Sequence, residues 1–190
     1  MSYISFSREE STLGYNVTYD DWDKLRHITC SFTGHRPQFF PFKFNEDAAE
    51  FKALRQRLRD EIEAAVQDDY SIFLSGGALG VDTWAAQEVL EFRERHYPFI
   101  RLEMVLPCIG QDSKWAKDQK AVYADLLERA DCVTRTSIMP YSDGCMKVRN
   151  ELLVRRSSRL IALWNGRPSG TGQTVAMARR QGLDVRLVDV

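Results

Sequence analysis

The chain has 190 residues, of which 44% are hydrophobic and 28% are charged, a composition typical of one globular domain rather than of a disordered segment. No apolar run approaches the roughly 18 to 20 residues that span a bilayer, and the first residues lack signal-peptide features, so we expect a cytoplasmic protein without membrane contact. The net charge is -1 although residues 149–190 hold eight Arg against three acidic residues, which favours a compact anionic partner over a long nucleic-acid track.

The N-terminal segment, residues 1–26, does not fit a regular pattern. It is polar but includes five aromatic side chains: Tyr3, Phe6, Tyr15, Tyr19 and Trp22. Such a segment is either an arm packed on the domain or a loose tail, and the sequence leaves both open. We therefore divide the chain into an N-terminal extension, residues 1–26, and a single domain, residues 27–190.

Extended apolar runs recur along the domain and predict about six strands. They cover residues 28–33, 70–74, 99–106, 131–134, 159–164 and 184–188. Segments with the period of a helix separate nearly every pair of these runs. Because parallel strands need such crossovers, the order of elements predicts parallel pairing.

The first predicted helix has Asn45 as its N-cap, followed by two acidic residues. Its apolar residues recur at spacings of three and four: Phe51, Leu54, Leu58, Ile62 and Val66. Three later series have the same spacing. The second strand is followed by Val81, Ala85, Val89 and Phe92, the third strand is followed by Trp115, Val122 and Leu126, and Gly182 is preceded by Thr174, Val175 and Ala178.

Alternating strands and helices predict an α/β fold of the Rossmann-like, doubly wound type. We expect a mainly parallel sheet of about six strands with helices on both faces. Ligands of such sheets bind beyond the carboxyl ends of the strands. The loops that follow the strands are therefore the candidates for a functional site.

The loop after the first strand contains Thr33, Gly34, His35 and Arg36. Glycine lets the backbone approach a ligand, and the guanidinium offers a planar fork of donors to a phosphate. His35 could act as a general acid or base, but no neighbouring carboxylate fixes that role, and a positioning hydrogen bond is an equal alternative. Taken alone, the loop also fits a β-turn with a hydrated Arg.

The loop after the second strand gives a stronger signal, because Ser75, Gly76, Gly77 and Gly80 lead directly into a helix. Such a turn leaves free N–H groups at the positive end of a helix, where they can hold a phosphate without any Lys. Asp82 in the first turn would repel a phosphate, so we assign it to ribose hydroxyls or to loop N–H groups, or to a favourable interaction with the helix dipole. A turn that only packs helix against strand is the alternative.

Later loops add polar groups at the same predicted edge. Gln111 and Trp115 follow the third strand, and Trp115 could stack on a base or belong to the core. Residues 135–145 form a long loop that is either a lid or an exposed connection. Arg149 and Asn150 open a helix, and a second Gly-rich turn, residues 165–174 with Gly170 and Thr171, follows the fifth strand.

Several of these pieces, in this order, resemble the SLOG superfamily, a Rossmann-like group that includes DNA-processing protein A and the cytokinin-activating LOG phosphoribohydrolases. The nearest resemblance is to the YpsA-like bacterial family of unknown function. It extends over about residues 28 to 188 and rests on the stretches 30–37, 77–86, 107–115, 149–150 and 164–171.

The resemblance implies a nucleotide-derived ligand and a homo-oligomer. Arg149 matches the Arg of an M-x-x-R stretch, and Gly170 and Thr171 match the Gly-Thr of the LOG phosphate loop. LOG enzymes carry a catalytic Glu three residues after that Thr, but here the position is Thr174, which disfavours LOG-type hydrolysis. Arg155 and Arg156 stand where similar proteins have an Asp, which would alter a helix contact or the surroundings of the ligand.

The sequence therefore predicts a protein that binds or senses a phosphate-bearing ligand of the ADP-ribose, NAD or nucleotide type. One alternative is a phosphoribohydrolase-type enzyme in which His35 or Asp82 supplies the missing acid, and a second is single-stranded DNA binding through Trp115, Tyr141 and Trp164. Whether any reaction is catalysed stays open. The predicted ligand contacts are Thr33, Gly34, Arg36, Ser75, Gly76, Gly77, Gly80, Asp82, Gln111, Trp115, Arg149, Asn150, Gly170 and Thr171.

The cysteines give no sign of a metal or redox site. Cys30, Cys108, Cys132 and Cys145 are widely spaced and form no C-x-x-C pair. We expect buried, reduced thiols, no metal and no required cofactor.

Overall fold

The structure, a computed structural model, describes residues 4–6 and 23–190. Its strands are β1 (Ile4–Phe6), β2 (Thr29–Gly34), β3 (Ile72–Ser75), β4 (Arg101–Leu106), β5 (Cys132–Arg135), β6 (Arg159–Leu163) and β7 (Asp184–Val188). Its longer helices are α1 (Ala49–Gln67), α2 (Val81–Arg95), α3 (Lys117–Arg129), α4 (Cys145–Arg156) and α5 (Gly170–Arg180). Short 3-10 helices lie at Arg26–Ile28 and Pro37–Phe39.

One sheet with the strand order β1-β5-β4-β3-β2-β6-β7 forms the centre of the molecule. The six strands from β2 to β7 are parallel, which confirms the predicted α/β, Rossmann-like fold and all six predicted strands. β1 adds an antiparallel edge strand, with Ile4 opposite Arg135. It lies in the segment whose order the sequence left open, and residues 1–3 and 7–22 are outside the described residues.

The direction of winding reverses between β2 and β6. From β2 the chain adds β3, β4 and β5 on one side, and then returns to add β6 and β7 on the other. The carboxyl ends of β2 and β6 therefore border a topological switch point, where doubly wound sheets leave a crevice for a ligand. This crevice is the place where the fold itself favours a site.

Helices cover both faces of the sheet, as the alternation of buried residues on β6 shows. Ile161 and Leu163 join the core formed with α1, α2 and α3, whereas Leu160 and Ala162 join the core formed with α4 and α5. Successive residues of a strand point to opposite faces, so one strand contributes to two cores. No helix within residues 23–190 is both long enough and apolar enough to cross a membrane.

The start of α1 corrects one prediction. Asn45 is not its N-cap, because the helix begins at Ala49 and the capping position is Ala48, without a side-chain hydrogen bond. Asn45 instead accepts a hydrogen bond from the N–H of Asp47 at 3.1 Å, which stabilises a turn before the helix. The predicted apolar stripe of this helix is confirmed, since all five of its residues are buried.

The helix after β4 also differs from its prediction. Trp115 precedes α3, and Val122 is 39% exposed, so neither belongs to a buried stripe of that helix. Tyr123 and Leu126 are the residues that α3 buries. The cysteine prediction needs a smaller correction, because all four thiols are reduced but Cys132 is only half-buried.

A buried ion-pair network joins α1 to α2 and sets a first testable expectation. Glu88 of α2 is fully buried and pairs with Arg55 and Arg59 of α1. We expect Glu88→Gln to lower the free energy of unfolding by about 2–3 kcal/mol, less than for a pair buried on both sides, because the two arginines remain partly hydrated. Urea unfolding measures this loss.

Glu91→Gln is the matched control for this expectation. Glu91 lies on the same helix and also pairs with Arg59, at 3.1 Å, but its side chain is 30% exposed. We expect Glu91→Gln to cost less than about 1 kcal/mol, as is usual for surface ion pairs. Equal losses for the two variants would contradict the role assigned to Glu88.

Candidate functional site

Two glycines bring the loops after β2 and β3 into direct contact. A Cβ atom on Gly34 would lie 2.4 Å from the side chain of Val81, the first residue of α2. A Cβ atom on Gly80, whose φ is +96°, would lie 2.7 Å from the carbonyl oxygen of His35. Larger residues at either position would push the two loops apart, so both glycines are needed for the shape of this edge.

His35 connects β2 to β6 across the switch point. The side chain is buried, and its Nε2 lies 2.9 Å from Oδ1 of Asn165, while its backbone N–H donates to the carbonyl of Leu163. This geometry agrees with one of the two interpretations of His35 from the sequence, a residue that makes a positioning hydrogen bond. The other interpretation, a role in acid–base chemistry, stays a prediction.

The turn after β3 passes directly beneath a guanidinium group. A Cβ atom on Gly76 would lie only 1.2 Å from Nη1 of Arg149, and 2.6 Å from Oδ2 of Asp82. Arg149 belongs to α4 and is only 5% exposed. Glycine at position 76 is therefore what allows this buried side chain to lie across the turn.

Arg149 and Asp82 contact each other. Nη1 of Arg149 donates to Oδ2 of Asp82 at 3.0 Å, and the same oxygen accepts from the N–H of Ala78 at 3.3 Å. Burial raises the pKa of Asp82, while the charges of Arg149 and, more weakly, of the exposed Arg36 oppose that rise. The sequence predicted these residues as ligand contacts, and the structure adds that Asp82 and Arg149 balance each other's charge.

Two buried polar atoms at this edge have no hydrogen-bond partner in the described chain: Nε of Arg149 and Oε1 of Gln111. The other end of Gln111 is fully engaged, since Nε2 donates to the carbonyl of Gly77 at 3.0 Å and to the hydroxyl of Tyr123 at 2.9 Å. Gln111 thus fixes the Gly-rich turn to α3. Buried polar groups nearly always find a partner, so atoms left without one indicate where something outside the chain can bind.

Some backbone N–H groups of the turn after β3 donate to side chains of the turn and of α2. The N–H of Gly77 donates to Oγ of Ser75, and the N–H of Ala78 donates to Asp82. The expectation of a turn full of free donors is therefore correct only in part. Three other N–H groups of the turn bond to no other described residue: those of Gly76, Leu79 and Gly80.

The second Gly-rich turn has a different construction. Oγ of Ser169 caps α5 by accepting from the N–H of Gly172 at 3.1 Å. Thr174 is fully buried, and its hydroxyl accepts from Nδ2 of Asn150 and donates to the carbonyl of Gly170, both at 3.0 Å. Asn150 and Thr174 thus join α4 to α5.

The remaining predicted residues are spread around this edge. Thr33, Ser75 and Thr171 are buried, whereas Arg36 and Gly170 are exposed. Trp115 is half-buried and packs edge-on against Tyr123, with ring centroids 5.1 Å apart, which matches the core reading of this residue. The loop from residue 135 to residue 145 is tied to its neighbour by the N–H of Ile109, which donates to the carbonyl of Met139.

Two site residues were missed from the sequence, Asn165 and Tyr123. Asn165 follows a predicted strand at the correct edge, so its position carried a usable signal, whereas nothing in the sequence distinguishes Tyr123 from other core aromatics. Arg156, which stood out in the sequence, is buried and pairs with Glu103 of β4 at 2.8 Å. It is therefore a contact between helix and sheet.

The hydroxyl of Tyr123 gives a second testable expectation. Burial raises the pKa of Tyr123 to about 12, although the hydrogen bond from Gln111 opposes the rise. Because the folded state holds this proton more tightly than the unfolded state, the stabilisation is complete below pH 10 and is lost as the pH rises toward 12. By pH 11 we expect a loss of about 1 kcal/mol that Tyr123→Phe does not show.

Urea unfolding of both proteins at pH 8 and pH 11 measures this loss. Other groups also titrate in this range, so the informative quantity is the difference between the wild type and Tyr123→Phe. The same dependence on pH in both proteins would exclude Tyr123 as its source.

Comparisons with known proteins agree with this fold. The model of the YspA SLOG family matches residues 30–183. A UPF0398 protein of Halalkalibacterium halodurans is 31% identical over 141 residues, which are 71% of this chain and 74% of that protein. A UPF0398 protein of Bacillus pumilus is 28% identical over 141 residues, which are 73% and 74% of the two chains.

Two solved structures of DNA processing protein A have the same fold. That of Streptococcus pneumoniae superposes with a TM-score of 0.62 and 19% identity, covering 97% of this chain and 62% of that chain. That of Helicobacter pylori, a protein with a single-stranded DNA binding mode, superposes with a TM-score of 0.57 and 18% identity, covering 90% of this chain and 68% of that chain. At these identities the likeness concerns the fold alone.

Proposed function

Because the chain belongs to the YspA SLOG family, we propose that it binds a phosphate-bearing, nucleotide-type ligand at the carboxyl edge of its sheet. The ligand's phosphate would meet the turn from Ser75 to Gly80, beside Arg149 and Arg36. ADP-ribose, NAD and mononucleotides are the candidate ligands. The proposed role is binding or sensing, and catalysis is not required for it.

The observation that carries this proposal is the guanidinium of Arg149 lying across Gly76. Arg149 is buried and has one nitrogen without a hydrogen-bond partner, and it lies beside a turn with N–H groups that also have none. A bound anion would accept hydrogen bonds from these donors. The turn also opens α2, whose N-terminus adds a positive partial charge. Nothing comparable is needed merely to pack a helix on a strand.

The balance of charge at the turn limits the kind of anion. Asp82 offsets the charge of Arg149, so the exposed Arg36 and the backbone donors supply most of the remaining attraction. A compact phosphate fits this modest field better than a long polyanion does. Of the roles that the sequence left open for Asp82, the hydrogen bond from the N–H of Ala78 matches the contact with loop N–H groups. A contact between Asp82 and ribose hydroxyls belongs to the present proposal.

Calorimetric titration with AMP, ADP-ribose, NAD and ribose 5-phosphate tests the proposal. We expect saturable binding of at least one of them, and no binding of the corresponding nucleoside or sugar without phosphate. Mass spectrometry of small molecules that copurify with the protein is an independent readout. If none of the four binds at millimolar concentration and nothing phosphate-bearing copurifies, the proposal is wrong.

A phosphoribohydrolase-type reaction is the alternative for the same site. Both acid–base candidates are engaged in the described structure, Asp82 with Arg149 and His35 with Asn165, and Thr174 is buried between two helices. These contacts favour binding over hydrolysis. Release of a base or of ribose phosphate by the wild type, lost in Asp82→Asn, would favour the enzyme instead.

Single-stranded DNA binding is a second candidate, favoured by the exposed apolar loop residues at this edge. Tyr141 is 64% exposed and Met139 62%, and exposed aromatic rings can stack on bases. DNA processing protein A of Helicobacter pylori, which has a similar fold, has a single-stranded DNA binding mode. A gel shift that weakens steeply with salt and is reduced by Tyr141→Ala would support this function, and no shift at low salt would exclude it.

A further inference from the structure

A cavity of about 220 Å³ borders the Gly-rich turn, and Arg149 is not part of its lining. Leu79 and Gly80 of the turn, Pro37 of the β2 loop, and residues of α2 and α3 line it. The volume is below the roughly 300–1,000 Å³ of pockets that enclose drug-sized molecules. It therefore suits a fragment such as one heterocyclic ring system, and not a whole dinucleotide.

The two charged groups of this cavity are both hydrogen-bond acceptors. Glu46 and Asp118 contribute carboxylates, and none of its described lining residues is Lys or Arg. The hydroxyl of Thr83 already donates to the carbonyl of Gly80, and the indole N–H of Trp84 donates to Oε1 of Glu46 at 3.1 Å. A ligand group that meets Glu46 or Asp118 must therefore donate hydrogen bonds, whereas the side-chain amides of Gln87 and Gln119 can pair with a donor or an acceptor. A second phosphate would be repelled by the two carboxylates.

Apolar side chains complete the lining. Trp84 is nearly buried, whereas Phe44 and Val122 are 56% and 39% exposed. The exposure of Val122, which contradicted the helix prediction from sequence, is thus explained by its position beside a cavity. Flat apolar walls with a few polar groups are what a heterocyclic base requires.

We propose that this cavity binds the base of the nucleotide-type ligand and selects a base that carries an exocyclic amino group. This inference rests on the proposed function, because the phosphate of the same ligand must bind at the Gly-rich turn. An amino group on the base donates to the carboxylates of Glu46 and Asp118. A base without it cannot make these hydrogen bonds, although Glu46 and Asp118, which are both exposed, stay hydrated.

The β2 loop connects the two halves of the proposed site. The charge of Arg36 weakly opposes the rise that burial causes in the pKa of Asp82, and the next residue, Pro37, lines the cavity. Gly80 in turn belongs both to the Gly-rich turn and to the cavity wall. The two parts of the proposed site therefore share the Gly-rich turn and adjoin consecutive residues of the β2 loop.

Calorimetric titration of the full chain with two nucleotides tests this inference. The probes are AMP and purine riboside 5′-monophosphate, which differ only in the 6-amino group. We expect AMP to bind about tenfold more tightly, the ratio expected for one hydrogen bond to a charged acceptor. Glu46→Gln, which keeps the size of the side chain, should reduce the ratio to about threefold, because hydrogen bonds to a neutral group are weaker.

Glu50→Gln is the matched control, because Glu50 is exposed in the first turn of α1 and is not part of the cavity lining. It should leave the ratio unchanged. Val122→Trp, which fills the cavity, should weaken AMP at least tenfold and leave ribose 5-phosphate binding unaffected. Equal affinities for the two nucleotides in the wild type, or an unchanged ratio in Glu46→Gln, would overturn the base subsite.

Failure of the base subsite and failure of the proposed function are distinguishable. If ribose 5-phosphate and both nucleotides bind equally, the phosphate site stands and the base subsite is wrong. If none of the three binds, the proposed function itself is wrong.

Discussion

Arg149→Ala should abolish nucleotide binding and lower the free energy of unfolding by about 3–5 kcal/mol, the cost of leaving one partner of a buried ion pair alone. Asp82 is only 6% exposed, and Arg149 is its sole cationic partner within hydrogen-bond distance among the described residues. Loss of the guanidinium would also remove the donor that lies across Gly76. Urea unfolding and calorimetric titration measure the two effects separately.

A double variant separates the loss of binding from the loss of stability. In Arg149→Met/Asp82→Asn both charges are removed, so no unpaired charge is buried, and we expect most of the stability to return. Binding should remain absent, because the methionine cannot donate to a phosphate. Lys147→Ala is the control on the same helix, since Lys147 is exposed and makes only a 3.9 Å pair with Glu151. Nucleotide binding by the stable double variant would contradict the role of Arg149.

Gly76→Ala is expected to have an effect of similar size, although it adds only one methyl group. The new Cβ would lie 1.2 Å from Nη1 of Arg149, a distance that no contact can tolerate, so the guanidinium must leave its place beside Asp82. We expect a loss of up to about 3 kcal/mol in unfolding free energy, because the displaced guanidinium is the end of a flexible side chain, together with the loss of nucleotide binding. The same titrations and urea unfolding measure both.

A double-mutant cycle identifies the cause of this loss. Where Arg149 is already Ala, the closest contact is gone and only Oδ2 of Asp82, 2.6 Å from the new Cβ, has to shift, so adding Gly76→Ala should cost less stability than in the wild type. Gly170→Ala is the glycine control, because a Cβ atom there would meet nothing within 4 Å. It should fold as stably as the wild type. Additive losses for Gly76→Ala and Arg149→Ala would show that the two residues do not act through one contact.

The alternation of strands and helices could be predicted from sequence because each element carries its own periodicity. All six parallel strands and the apolar stripe of α1 follow from residues that are close together in the chain. The edge strand β1 could not be predicted, since three residues carry too little pattern and their pairing depends on the open edge of β5. The start of α1 was missed for a similar reason, because Asn45 makes an equally good turn before the helix.

The candidate site was predictable in its position but not in its contacts. Strand ends and glycines identified the correct edge of the sheet. The pairing of Asp82 with Arg149 joins residues 67 positions apart, and a single sequence contains no information about such a contact. For the same reason, neither the hydrogen bond from Gln111 to Gly77 nor the cavity beside Val122 could be predicted, because both depend on how α3 packs against the turn.

A crystal structure of the protein with AMP would show where the phosphate binds. We expect the phosphate within hydrogen-bond distance, about 2.7–3.2 Å, of Arg149 and of the backbone N–H of Gly76. Density for the phosphate at another edge of the sheet, with the turn from Ser75 to Gly80 unoccupied, would contradict this expectation.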